Sequence, residues 1–351
     1  MKIGLHFLLS CADDQSPVAR YRDTLDQAVE AEALGFESVW PVEHHFDARL
    51  SALSCPTLLL AAIAARTRTL RLGTGIVQLP LGHPLRIAEE VATLDVLSGG
   101  RVELGVGRGS NPLHYAGFGV PLEESRTRME EGLALIERLL TDETVSFRGA
   151  HYQVDDVRLA PRPVRPPTVH VAANSLETAA FTGALGHPIL LAAHVLTFAK
   201  LRDVIAHYRA ARARHGHGAP APTDVSVLMP LYVAEDAAQL EREVAPSVAH
   251  IMGVLADASE RLLARCTVPS ERDKLVGLLS TLRATTCAKV NGTQGIFDTP
   301  RGCVARLVQL REELGIGRVI GWFNFGGQVA HAHVLESMRL FAREVLPHLP
   351  D

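Results

Sequence analysis

The feature that most constrains this chain is an alternation that runs from one end to the other. Short apolar runs of strand length are each followed by a stretch with helical apolar spacing. The strand-like runs fall at 3–9, 38–40, 70–75, 102–107, 168–172, 189–191, 225–233 and 319–323. Helical segments lie between them at 20–34, 56–66, from Pro84 onward, and at 123–140, 176–185, 198–214, 237–250 and 301–314. In 123–140, Met129, Leu133, Ile136 and Leu140 recur at i, i+4, i+7 and i+11, and Val334, Met338, Phe341 and Val345 repeat that spacing in a last helix. Gly35 stops the first helix, and Pro84 opens another at a position where its missing N–H is not needed. Right-handed strand–helix–strand crossovers repeated eight times close into a (β/α)8 TIM barrel. A doubly wound open sheet is the alternative that pattern alone leaves. At 351 residues two domains would fit, but barrels of this size form one. The expectation is an α/β chain with one barrel domain over 1–351 and insertions.

Two stretches break the alternation. Residues 145–159 alternate apolar and polar around Gly149, as a small hairpin does. Residues 252–299 show no dominant period and read as a long insertion, expected to be a lid.

Composition narrows the function. The chain is 47% hydrophobic with a net charge of -4, and its Lys and Arg are scattered. This gives a large core and no footprint for nucleic acid or a membrane surface. No run approaches the roughly 18 apolar residues that span a bilayer. Five cysteines, Cys11, Cys55, Cys266, Cys287 and Cys303, are odd in number and widely spaced, with no C-x-x-C. A reduced, cytoplasmic protein without a zinc site is the reading. Residues 1–11 end in Leu-Ser-Cys like a lipoprotein signal, but the stretch is short and interrupted by His6, so it is read as the first strand.

Four stretches could carry chemistry. Glu43-His44-His45-Phe46 follows the run at 38–40, and in a barrel the C-terminal strand ends are where catalytic groups collect. Neighbouring residues leaving a strand point to opposite sides. One imidazole is therefore expected at the barrel mouth, where it can take or give a proton near pH 7, and the other against the surrounding helices. No further residues stand at metal-ligand spacing, so no metal is expected. The stretch 100–111 is glycine-rich but does not have the dinucleotide fingerprint. It reads as a strand and a glycine turn that lets amides approach an anion, with Arg108 as a fixed guanidinium. A tight turn with a surface Arg is the competing reading. In 172–178, Ser175, Thr178 and the helix-start amides could bind phosphate, or Asn174 or Ser175 could simply cap the helix. In 72–80, glycines at a strand end suggest close approach to a flat ligand, or a bulge without one.

These stretches occur together and in order. With Trp40-Pro41-Val42-Glu43-His44-His45-Phe46, His83-Pro84-Leu85-Arg86, Leu97-Ser98-Gly99-Gly100-Arg101 and Gly107-Arg108-Gly109, the chain resembles the bacterial luciferase-like flavin monooxygenases, α-subunit type, over nearly its whole length. The resemblance implies a barrel that binds reduced FMN at its C-terminal strand ends. In that family, reduced flavin and molecular oxygen give a flavin hydroperoxide that oxygenates an organic substrate such as an aldehyde, a ketone or a secondary metabolite. It makes His44 the catalytic histidine. Arg108, the Ser110 amide, Ser175 and Thr178 would hold the FMN phosphate, with Asn174 in the same loop where luciferases have Glu. Gly75 would lie against the isoalloxazine, with a cis peptide at Gly75-Ile76. It also implies a homodimer through the early helices, with His45 facing Glu89 of the partner subunit. A separate NAD(P)H:flavin reductase would supply the reduced flavin, since no second nucleotide-binding domain is present. Gly107 stands where luciferases have a reactive cysteine, and 188–193 ends in small residues where they have a tryptophan, which argues for a different pocket and against light emission. Two other readings are a deazaflavin-dependent hydride-transfer enzyme and a non-catalytic flavin-binding partner subunit. His44 and Arg108 argue against the second.

Overall fold

The computed structural model describes residues 1–12, 14–266 and 268–350. Eight parallel strands form a closed barrel: β1 (Lys2–Phe7), β2 (Ser38–Pro41), β3 (Arg71–Gly73), β4 (Val102–Gly107), β5 (Thr168–Ala172), β6 (Ile189–Ala192), β7 (Val225–Val233) and β8 (Arg318–Trp322). Each pairs with the next, and β8 pairs with β1, so the ring of eight is closed. These are the eight runs read from the sequence, and closure excludes the doubly wound sheet. Barrel strands are covered on both faces, so they read as continuous apolar runs rather than alternating ones. All nine residues of β7 are buried.

The barrel interior is filled in layers. At the N-terminal end, Arg318 Nη1 donates to Glu103 Oε2 at 2.8 Å and Arg318 Nε to Glu37 Oε2 at 3.0 Å. Arg71 also pairs with Glu103, and His170 Nε2 lies 2.8 Å from Glu103 Oε2. Burial works against a charged Glu103, but His170 and the two guanidinium groups outweigh it and hold the carboxyl well below its usual range. The next layer is Trp40. Its ring lies 5.5 Å from the Arg318 guanidinium and meets His170 edge-on at 5.3 Å, and Nε1 donates to Ser38 Oγ at 2.9 Å.

Glycines on the neighbouring strands leave room for this indole. A Cβ on Gly73 would lie 2.3 Å from the Trp40 ring, and one on Gly4 would lie 3.2 Å from Trp40 Cδ1. Gly73→Ala is therefore expected to unseat the largest fully buried side chain and to lower stability by about 1–3 kcal/mol, the usual cost of overpacking. Gly253→Ala, where the added Cβ meets nothing within 4 Å in a helix, is the control and should be neutral or mildly stabilising. Urea midpoints of the two variants against the parent chain check this.

The two insertions differ from each other. Val145–Arg148 and Gln153–Val157 form the expected antiparallel hairpin. Residues 252–299 are not an irregular insertion beginning at 252. The preceding helix, Ala237–Arg265, runs through Pro246 and well past the expected end at 250. Helix Pro269–Arg283 packs against it, a short helix follows at Cys287–Val290, and Ile296–Asp298 pairs in parallel with the end of β7. The long helix lies across the C-terminal end of the barrel. Ser247 Oγ donates to Phe325 O at 2.7 Å and accepts from Gln328 N at 3.0 Å. Arg49 pairs with Asp257 at 3.0 Å and Arg261 with Asp47 at 2.8 Å. It thereby ties the loop after β2 to the loop after β8. Among the described residues, no helix is long and apolar enough to cross a membrane.

Candidate active site

The loop after β2 carries the two adjacent imidazoles in different directions. His44 is anchored through its backbone N–H, which donates to Leu53 O at 2.9 Å. Its Nδ1 is buried with no hydrogen-bond partner among the described residues. Burial, with His114, His45 and His194 nearby, pushes its pKa down to about 3. His45 turns away from the mouth, against Phe118 at 4.8 Å on the helix Pro112–Phe118. Its Nε2 donates to Glu43 Oε1 at 2.9 Å. Within its own chain the carboxylate beside His45 is Glu43, and Glu89 pairs with Arg86 at 3.2 Å.

A hydrogen-bonded frame fixes the histidine loop. Glu43 Oε2 accepts from Gln78 N at 3.0 Å, and Gln78 Nε2 donates to Glu43 O at 2.9 Å. His45 N donates to His114 Nε2 at 3.3 Å, so His114 Nδ1 carries the proton and donates to Gln78 Oε1 at 3.3 Å. The His44 ring rests edge-on against His114 at 5.4 Å.

Three residues that the sequence reading did not single out complete the mouth. His6, near the end of β1, lies edge-on to Trp322, the last residue of β8, at 5.1 Å, and His194 meets the same indole at 5.6 Å. Burial and His194 push His6 down to about 3, against the opposing bond to Trp40 O, and burial pushes His194 down to about 4. The sequence offered one signal, a lone polar His6 inside an apolar strand.

His6, His44 and His194 are neutral in the folded chain until about pH 3–4, whereas in the unfolded chain they take up protons near 6.5. The unfolded state then binds more protons between those limits. Stability is expected to fall as pH drops from about 6.5 to about 4, by up to about 1.4 kcal/mol per pH unit for each imidazole. Glu103 adds to the loss only below its ordinary value of 4.5. Urea midpoints at several pH values check the slope, and a flat profile across that window would contradict it.

The two proposed anion loops leave adjacent parallel strands, β4 and β5, with Val106 in register with Val171. Arg108 and Ser110 are exposed there. Gly109 has φ +69° and a Cβ on it would lie 2.1 Å from Gln78 Oε1, so the turn needs glycine and abuts the histidine frame. Ser175 caps the helix Leu176–Leu185, accepting from Thr178 N at 3.2 Å and donating to Thr178 Oγ1 at 3.0 Å. Asn174 Oδ1 accepts from Ala192 N at 3.0 Å, so its oxygen is committed to the end of β6. The Gly75-Ile76 peptide is cis, and Gly75 N donates to Pro41 O at 2.8 Å. Gly73 faces the Trp40 ring, and a Cβ on Gly75 would also meet Trp40, 3.2 Å from its Cβ. A Cβ on Gly107 would lie 2.3 Å from Ile76 Cδ1, so a cysteine there would require Ile76 to move. Among the described residues, no group of three or more His, Cys, Asp or Glu could hold a metal ion.

The family profile described as luciferase-like monooxygenase matches residues 1–317. The chain belongs to the luciferase-like monooxygenase family. The monooxygenase RslO1 from Streptomyces bottropensis superposes with a TM-score of 0.79 at 28% identity, covering 99% of each chain. The oxygenating constituent of 3,6-diketocamphane monooxygenase from Pseudomonas putida, in complex with FMN, superposes at TM-score 0.78 and 18% identity over 100% of this chain and 99% of that one, and shows the shared fold. An F420-dependent glucose-6-phosphate dehydrogenase from Amycolatopsis mediterranei is 34% identical over 171 residues, 47% of this chain and 51% of that protein. The chain spans roughly half of the length of curated relatives it matches, 42–64% for three of them.

Proposed function

We propose that this luciferase-like chain is an FMN-dependent monooxygenase that uses reduced FMN and molecular oxygen to oxygenate a small organic substrate. The observation that carries the reading is His44: a neutral imidazole at the mouth with a buried, partnerless Nδ1. The residues present fit a flavin phosphate. Arg108, the Ser110 amide, Ser175 and Thr178 stand on adjacent strand ends, and a helix N-terminus attracts anions. Asn174 would support that loop, and Gly75 would lie beside the ring system. When bound, reduced FMN supplies the electrons for oxygen reduction.

The chain's own groups do the rest. His44 Nδ1 holds or passes a proton next to the reacting centre, and its low pKa keeps it neutral over the working range. The Glu43–Gln78–His114 frame fixes the loop that carries it. The helices Ala237–Arg265 and Pro269–Arg283 act as a lid that excludes water. A separate NAD(P)H:flavin reductase delivers the flavin, and the active form is a cytoplasmic homodimer.

Anaerobic titration with reduced FMN, followed by rapid mixing with oxygenated buffer, tests the reading. An absorbance transient distinct from reduced and oxidised FMN, whose decay a substrate accelerates, is the expected result. Absence of reduced-FMN binding would overturn it. The likeness to an F420-dependent dehydrogenase favours a second reading, hydride transfer with a deazaflavin. Tight binding of F420 with no need for oxygen would establish that one instead.

A further inference from the structure

Several buried polar atoms at the C-terminal end of the barrel have no hydrogen-bond partner among the described residues: His44 Nδ1, His194 Nδ1, Trp322 Nε1 and Gln328 Nε2. Buried donors and acceptors are normally paired, so such a concentration around one opening points to a ligand. Trp322 is the most confined of them. Its residue is 3% exposed, and its ring is fixed by His6 at 5.1 Å, His194 at 5.6 Å and Phe325 at 4.7 Å, all edge-on. An indole N–H can only donate.

His6 supplies the opposite function. Its Nδ1 lies 2.9 Å from Trp40 O, and a carbonyl only accepts. Nδ1 must therefore carry the ring's proton, which leaves Nε2 of this neutral imidazole with a bare lone pair. His194 brings a second neutral ring against the same indole.

The charge of the surroundings is equally informative. The groups that act electrostatically on His6, His44 and His194 are other histidines, with no carboxylate, lysine or arginine among them. None of these groups carries a fixed charge, so an ionised ligand would have to be met by charging a buried neutral imidazole, and burying an unpaired charge is costly.

We infer that Trp322 Nε1, His6 Nε2 and His194 Nδ1 form a subsite for the hydroxyl group of a neutral alcohol or phenol. A hydroxyl oxygen can accept from the indole while its proton goes to an imidazole. A carbonyl or ether oxygen would leave the His6 lone pair without a donor, and a carboxylate would bring in an unpaired charge. The subsite rests on the monooxygenase reading for its place in the reaction, where it orients a hydroxylated substrate. Phe325 packs on the Trp322 ring at 4.7 Å and its carbonyl accepts from Ser247 of the long helix at 2.7 Å, so a ligand would enter as that cover moves aside.

The chain has two tryptophans, which makes the test direct. Trp40 is fully buried with its N–H already bonded to Ser38, so only the Trp322 indole signal should respond to a ligand. Flavin-free, 15N-labelled protein is titrated with 2-naphthol, 2-methoxynaphthalene and 2-naphthoate while the two indole resonances are followed, and Trp322→Phe assigns them. The expected result is a shift of the Trp322 resonance alone and binding of naphthol about tenfold tighter than of its ether, the worth of one hydrogen bond. That preference should shrink in His194→Phe and in His6→Phe. If either fails to fold by thermal melting, His194→Leu or His6→Leu takes its place. Equal binding of the ether, stronger binding of naphthoate, or a Trp322 signal that stays still while naphthol binds would overturn the subsite. Reduced FMN is titrated separately into the same protein. Lost FMN binding with a retained naphthol preference would remove the monooxygenase reading only, and the converse would remove the subsite only.

Discussion

His44→Ala is expected to leave binding of reduced FMN largely unchanged and to cut turnover by about 10²–10⁴-fold, the usual contribution of a positioned general acid or base. The anchor of this loop is the backbone bond from His44 N to Leu53 O and the frame built on Glu43, Gln78 and His114, none of which needs the His44 ring. The variant should therefore fold and present the same phosphate loops. Flavin titration separates binding from chemistry, and single-turnover oxidation in the presence of substrate measures the loss. Unchanged turnover would remove His44 from the reaction. Because its pKa is pushed down to about 3, the parent enzyme should show no break from His44 between pH 6 and 8.

Glu103→Ala is expected to have the largest effect on stability, a loss of about 3–5 kcal/mol. The carboxylate serves Arg318, Arg71 and His170 together, with its side chain only 4% exposed. Its removal leaves Arg318 buried with Glu37 as the remaining partner. Glu103→Ala combined with Arg318→Met should lose less than Glu103→Ala alone, since it removes the stranded charge as well as its partner. Urea denaturation of the single and double variants measures the difference. A double variant less stable than the single one would show that the pair is worth more than its desolvation. Turnover per folded molecule should stay near the parent value, because this network closes the end of the barrel opposite to the mouth.

The strands were legible because their burial is two-sided and uninterrupted, so hydrophobicity alone marks them. The long helix over the mouth was legible only to residue 250. Pro246 sits inside it, and Ser247 is fully buried on its packing face, where it holds the loop after β8. Both fall within the part that was read; beyond residue 250 the apolar period is broken by Gly253 and by Ser259, a polar residue at a buried position. The site divides in the same way. Glu43, His44 and His45 are contiguous, so their chemistry is visible as a motif. His6, His194 and Trp322 come from the ends of β1, β6 and β8, and only closure of the sheet brings them to one indole. The network at the other end was hidden for the same reason, although Arg71 and Arg318 begin their strands and Glu103 is second in its own. Gly73 carried a real signal of close approach, and the approaching group is the chain's own Trp40.

The long helix reaches the loop after β2 through Arg49–Asp257 and Arg261–Asp47, and these four side chains are exposed or partly exposed. Such pairs hold weakly and are screened by dissolved ions, whereas the neutral imidazoles and indole beneath them carry no charge to screen. The cover and the chamber thus answer to different variables. Ionic strength governs how readily the doorway opens, and acidity governs whether the room behind it keeps its shape.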